Sequence, residues 1–345
     1  MARRWVDQTG RKTRGFAGAF LHGSINWLTA IDPLPATSDV DVILIIDGAT
    51  PPDKIGKIRH EGVLLDVSSL PFRELSSAED VLGQYHLAGS FAGSSVIADP
   101  TGRLTALQSA VSRDYAKRRW VRRRCEHARD KVLQGYAPRE ADPLADQVIA
   151  CLFPAAICCH LLLVAGLRNP TVRNRYLPTR ELLAEYGRLD LYEELLGLLG
   201  AADLDAAAVR RHFAAMTRAF AAAAIAPKPA FPFAADISDS GRPVAVDGSR
   251  ELIDAGYHRE AVFWIAVTFS RCMKILDAVQ SVAPAAEIEH GYQSLLNDLG
   301  LASFADRMRR RRLIEAALPR IWEVAEAIME THPTVDRSDE PAARV

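Results

Sequence analysis

Asp39-Val40-Asp41-Val42-Ile43-Leu44-Ile45-Ile46 is the stretch whose reading decides the fold of the first third of this chain. Six apolar, mostly β-branched residues follow or separate two acids, which reads as a buried strand. Side chains alternate across a strand, so the i, i+2 spacing sends both carboxylates to one face. Asp is depleted in strands, and like charges about 7 Å apart repel, so a cation bridging the two is the obvious compensation. A second apolar run, Gly62-Val63-Leu64-Leu65-Asp66-Val67, carries one more acid. Laid beside the first strand, it would bring Asp66 to the same spot. Taken singly, each aspartate reads as a strand end or turn cap; as a set they read as a metal-binding trio. A calcium loop is excluded, because Ile43 and Leu44 stand where such a loop needs an oxygen ligand and a glycine.

Immediately upstream, Ala19-Phe20-Leu21-His22-Gly23-Ser24 passes from a short apolar strand into a small-residue turn. Ile25-Asn26-Trp27-Leu28 is then expected to start a helix. Gly23 would let backbone approach a phosphate closely, and Ser24 could cap the helix and donate its hydroxyl. His22 reads as a residue packed beneath the loop. The order is what matters: a phosphate cradle, then an Asp-x-Asp strand, then a third acid is the arrangement a phosphoryl-transfer site requires.

Working outward, Gly18–Leu21, Val40–Ile46 and Gly62–Leu70 read as strands, separated by segments long enough for helices. From Tyr115 onward strand patterns give way to helical ones, for example Arg180–Leu199, Ala206–Ile225, Glu260–Ser281 and Arg309–Glu330. Pro227–Ser249, rich in Pro, Gly, Asp and Ser, reads as a long connector, either a surface loop or a substrate-facing one. The tail after Pro333 is polar and reads as frayed.

The whole chain of 345 residues is 49% hydrophobic and 25% charged, the usage of an ordinary globular protein, which excludes wholesale disorder. Lys and Arg total 42 against 43 for Asp and Glu, so no global field steers the molecule to nucleic acid or membrane. Val148–Leu167 carries no formal charge, but Pro154 and His160 interrupt it, and it reads as a buried helix rather than a membrane span. The five cysteines, Cys125, Cys151, Cys158, Cys159 and Cys272, form no C-x-x-C pair and read as buried thiols of a reducing cytoplasm.

The motif residues resemble the nucleotidyltransferase superfamily that shares the polymerase-beta-like catalytic fold. Leu21-Gly23-Ser24, Asp39-Val40-Asp41-Val42 and Leu65-Asp66-Val67 carry the likeness, which covers about residues 15–115. Within it the chain is similar to bacterial enzymes of the aminoglycoside-nucleotidyltransferase type, with looser matches at Asp99-Pro100-Thr101-Gly102-Arg103-Leu104 and Val172-Arg173-Asn174-Arg175-Tyr176-Leu177. The resemblance implies an α+β chain: a small mixed-sheet catalytic domain over 1–115, an all-α helical-bundle domain for the acceptor over 116–335, and a flexible tail over 336–345. It implies transfer of a nucleoside monophosphate, AMP from ATP in the leading case, to a hydroxyl of a small acceptor such as an aminoglycoside, with release of pyrophosphate. Two magnesium ions would sit on Asp39, Asp41 and Asp66, with Gly23, Ser24, Asp39 and Asp41 contacting the nucleotide. Asp66 would complete the second metal site or act as general base; Glu61 and Glu74 are the other bases the resemblance leaves open.

Two basic runs, Lys117–Arg124 and Arg307–Arg312, read first as solvated helix faces, with triphosphate or RNA-backbone contact as the sharper alternative. Trp120 inside the first could stack on a base, although amphipathic helices more often bury such a residue. Glu126, Asp130, Asp142 and Asp146 are candidates for lining a pocket for a cationic acceptor. RNA or protein as acceptor, and a catalytically silent nucleotide-binding module, are the alternative functions. No membrane partner is expected, and a homodimer is compatible with the sequence.

Overall fold

The computed structural model describes residues 1–29, 31–48, 54–135, 137–227, 231–279 and 286–338. In chain order its first part comprises α1 (Ala2–Gln8), β1 (Phe16–His22), β2 (Val40–Ile46), β3 (Gly56–His60), β4 (Val63–Pro71), α2 (Ala78–Leu82), β5 (Val96–Ala98) and α3 (Arg103–Asp114). The strands form one mixed sheet in the order β3-β4-β2-β1-β5. β2 runs parallel to β4 and antiparallel to β1, while β3 and β5 pair antiparallel as the two edges.

The sheet is buried on both faces, which is why β2 is apolar at nearly every position. On one face Phe20, Ile43 and Ile45 pack with Val81 and Leu82 of α2 and with Leu104, Leu107 and Val111 of α3. On the other, Ala19, Val42, Leu44, Leu65 and Val67 pack with Trp5 and Val6 of α1. Removing a leucine-sized side chain from water contributes about 1.5–3 kcal/mol, so these two clusters hold the central strands rigidly.

The rest is helical: α4 (Arg118–Gln134), α5 (Leu144–Ala165), α6 (Tyr176–Glu185), α7 (Leu189–Leu199), α8 (Ala206–Ile225), α9 (Gly248–Asp254), α10 (His258–Ala278), α11 (Ala286–Asp298) and α12 (Phe304–Thr331). By contacts the chain divides into two compact units, one built from Met1–Ala128, Leu163–Thr171 and the chain from Val324 on, the other from Arg129–Leu162 and Val172–Glu323. Strands therefore fall in the N-terminal part and the remainder is helical, the coarse division the sequence suggests.

Several local expectations are corrected. Ile25–Leu28 starts no α-helix: Gly23–Trp27 closes as a 3-10 turn, tied down by the Asn26 side-chain amide donating to the Leu21 carbonyl at 2.8 Å. Among the described residues, the segment between β2 and β4 holds β3 rather than a helix, returning through a two-residue turn at Glu61 and Gly62, where φ is 49° and 82°. Positive φ at both central positions matches the right-handed twist of a hairpin. Arg180–Leu199 is two helices, parted where Gly187 takes φ 65°. Within Pro227–Ser249, of which 228–230 lie outside the described residues, Pro243–Asp247 winds into a π-helical turn with Ala245 and Val246 buried, so this part is no surface loop.

The chain just after Pro333 is pinned rather than frayed. Val335 is buried, the Asp336 N–H donates to the Ala116 carbonyl at 2.9 Å, and the Arg118 N–H donates to the Asp336 carbonyl at 2.7 Å. Residues 339–345 of the expected tail lie outside the described residues. Among the described residues α5 alone is long and apolar enough to cross a membrane, and 78% of its most apolar window is buried in the protein. All five cysteines are buried thiols.

Candidate functional site

Strand pairing lines up four polar side chains in a single row across the sheet. Lys57 of β3 pairs with Asp66 of β4, Asp66 with Asp41 of β2, and Asp41 with His22 of β1. Directly paired residues share a face, and Asp39, two residues before Asp41, shares it too. This is the face that buries Phe20, Ile43 and Ile45, and the row is its polar continuation beyond the apolar cluster. One oxygen from each of Asp39, Asp41 and Asp66 lies within 4.8 Å of the others. The three acids read from the sequence as converging do converge.

Their compensation includes cations the chain itself supplies. The Lys57 ammonium, whose side chain is only 4% exposed, donates to Asp39 Oδ2 and, at 3.0 Å, to Asp66 Oδ2. Lys54 reaches Asp66 from the rim at 2.9 Å. Burial works against the Asp66 carboxylate, but Lys57 and Lys54 outweigh it and hold its pKa below the ordinary value. For Asp41 burial wins: with the charges of Asp39 and Asp66 adding to it, the pKa is pushed up to about 8. Near neutrality the cluster thus keeps a proton on Asp41 while lysine bonds hold Asp39 and Asp66.

Gly23 closes the row at the exit of β1. Its φ is +70°, and a Cβ placed there would strike the Asp41 carboxylate, so only glycine brings the turn this close. Ser24 follows in the same turn and is half-buried. His22 packs beneath the turn as read, its Nδ1 2.6 Å from the hydroxyl of buried Ser90. Burial pushes its pKa down to about 4, so the ring is neutral at physiological pH.

The two spare bases are not in this row. Glu61 sits at the hairpin tip, paired with Arg4 at 2.6 Å. Glu74 lies past the far end of β4; five residues of strand, roughly 16 Å, separate Asp66 from Pro71 before it. Asp99 of the looser match precedes α3 and ties down its first turn, accepting from the Thr105 N–H and hydroxyl, both at 2.8 Å, while the Arg103 guanidinium lies 3.3 Å from the centre of the Phe72 ring.

Several members of each arginine run are spent internally, while Arg119, Arg123, Arg309 and Arg312 stay exposed. In the first, Arg118 pairs with Glu326 and Glu330, both at 3.2 Å; Arg122 pairs with Glu326 at 2.7 Å; fully buried Arg124 donates to the Tyr115 carbonyl at 2.8 Å. Trp120 packs against the core that holds Phe20 and Leu104. In the second, Arg307, Arg310 and Arg311 donate to the carbonyls of Leu301, Leu198, Leu299 and Leu133, which lie at or just past helix C-termini. Buried Arg175 of the other loose match donates to the Val172 carbonyl at 2.8 Å and lies over the Phe263 ring. The four acids proposed for a cationic acceptor are each met by a neighbour: Glu126 by Arg122 and Arg123, Asp130 by Arg129, Asp142 by Arg139 and Asp146 by Lys274.

Sequence reasoning missed Lys57 and Lys54 because it missed β3. The signal was present in Lys57-Ile58-Arg59-His60-Glu61-Gly62, a charged alternating edge strand ending in a turn dipeptide. No protein-family model matches the chain, and no curated protein matches it.

Proposed function

We propose that this chain is a divalent-metal-dependent nucleotidyltransferase of the polymerase-beta-like kind, moving a nucleoside monophosphate, AMP from ATP in the leading case, to a hydroxyl of a small acceptor and releasing pyrophosphate. The observation that carries the reading is the in-register row of Asp66 and Asp41 with Asp39, its oxygens within 4.8 Å, beside a turn only glycine can make. Three carboxylate oxygens are a hard donor set that suits magnesium. Asp39, Asp41 and Asp66 would hold it, and when bound it neutralises phosphate charge and positions the leaving group.

The chain's own residues supply the rest. Gly23 leaves room for backbone to meet a phosphate, and the Ser24 hydroxyl adds a donor beside it. Asp66, kept ionised by two lysines, is the carboxylate able to accept a proton from the acceptor hydroxyl or to complete a second ion site. Glu61 and Glu74 play no part in this reading, being engaged elsewhere and too distant respectively. The internal use of Arg118, Arg122, Arg307, Arg310 and Arg311 takes support away from an RNA acceptor.

One observation favours a second reading. Lys57 and Lys54 already neutralise Asp39 and Asp66, so the acids could be a structural ion cluster in a module that binds nucleotide without turning it over. Incubating the protein with α-labelled NTPs, magnesium and a panel of aminoglycosides, other hydroxylated metabolites and RNA separates the two. Transfer predicts pyrophosphate release, label on a small acceptor, and loss of both in Asp41→Asn. Nucleotide binding with no pyrophosphate from any mixture selects the silent module.

A further inference from the structure

Lys57 occupies an unusual place for a lysine. Its side chain is almost wholly enclosed, its ammonium bonds two of the three carboxylates that would take a metal, and its strand position pairs it directly with Asp66. A divalent ion of magnesium's size sits about 2.0–2.1 Å from each oxygen it binds. An ion reaching Asp39 and Asp66 together must therefore enter the space between them that the Lys57 ammonium fills. Two cations cannot share it. Nor can the lysine be dispensable afterwards, because three carboxylates and a triphosphate carry more negative charge than two divalent ions cancel. A four-carbon stem lets the ammonium swing away while its backbone stays in the β3–β4 ladder.

We propose that Lys57 is a resident counter-ion which the metal displaces, and that the displaced ammonium becomes a contact for the nucleotide's phosphates. The inference rests on the nucleotidyltransferase reading and adds a residue to it. It makes the affinities for metal and for nucleotide respond oppositely to one side chain. A lysine that only fastens β3 to β4 would not produce that crossed response.

The test titrates the full-length chain with Mn2+ alone, followed by electron paramagnetic resonance, and then with ATP at saturating Mn2+. Lys57→Met is expected to bind Mn2+ about tenfold or more tightly than the unaltered protein and ATP about tenfold more weakly. Lys57→Gln, which keeps a hydrogen-bond donor for the carboxylates, should show the same signs if the methionine variant folds poorly. In the unaltered protein, labelling of Lys57 by an amine reagent, read by peptide mass spectrometry, should rise when Mn2+ is added. Equal Mn2+ affinity in all three proteins, or Lys57 labelling that Mn2+ leaves unchanged while it binds, overturns the role of Lys57 and spares the metal site. Absence of Mn2+ binding in every protein overturns the metal reading together with it.

Discussion

Asp39 and Asp41 stand two residues apart on one face of the sheet, yet their substitution should have opposite effects. Asp41 is held by burial between two other acids, and its pKa lies near 8. A carboxyl whose folded value exceeds the unfolded value of about 4 binds its proton more tightly in the native state, so stability falls as pH rises between the two. Asp41→Asn should flatten that slope and stabilise the metal-stripped protein at pH 8–9 by about 1–3 kcal/mol, measured by denaturant unfolding across a pH series. A slope identical to that of the unaltered protein would contradict this. Asp39→Asn removes a partner of enclosed Lys57 and should cost about 1–3 kcal/mol at the same pH. Gly23→Ala places a methyl group against the Asp41 carboxylate in left-handed backbone. It should lose about 1–3 kcal/mol, and Mn2+ binding by the row should weaken with it; unchanged affinity would separate the turn from the site.

At the scale of elements, β2 was legible to its ends, because six of its seven residues are buried and apolar, and Asp41 alone breaks the run. The parallel partner at β4 was legible for the same reason, and with it the convergence of Asp41 and Asp66. β3 was not, since an edge strand carrying Lys57, Arg59 and His60 has a polar composition that resembles a loop, and β5 has only three residues. The hairpin turn gives a direct check on β3. Gly62→Val puts a β-branched residue at φ 82° and should cost about 1–3 kcal/mol, with early hydrogen exchange in the β3 amides; a neutral effect would mean the hairpin does not hold Lys57 in register. The arginine runs were legible as charge but not as caps, because the carbonyls they reach are contributed by residues distant in sequence, for example Leu133 and Leu198.

For the molecule as a whole, the change of composition near Tyr115 marks where strand patterns stop, and helices follow as read. What composition cannot carry is which distant segments are gathered together. The unit that holds the sheet also takes in Leu163–Thr171 and the chain from Val324 on, through contacts that leave no local signature. Glu326 and Glu330 reach Arg118, and Asp336 pairs with the backbone at Ala116 and Arg118. Ending the chain at Glu323 should lower the first thermal transition by several degrees and raise the labelling of Arg118, now only 19% exposed; a melting curve that does not move would show these contacts to be dispensable.

Those same backbone bonds at Asp336 set a schedule for synthesis. Roughly two hundred residues must leave the ribosome after Ala128 before Asp336 can close onto Ala116, about 10–40 s at ordinary elongation rates of 5–20 residues per second. For that interval the nascent sheet unit is incomplete, and a chaperone that shelters it would have to remain until Asp336 has emerged.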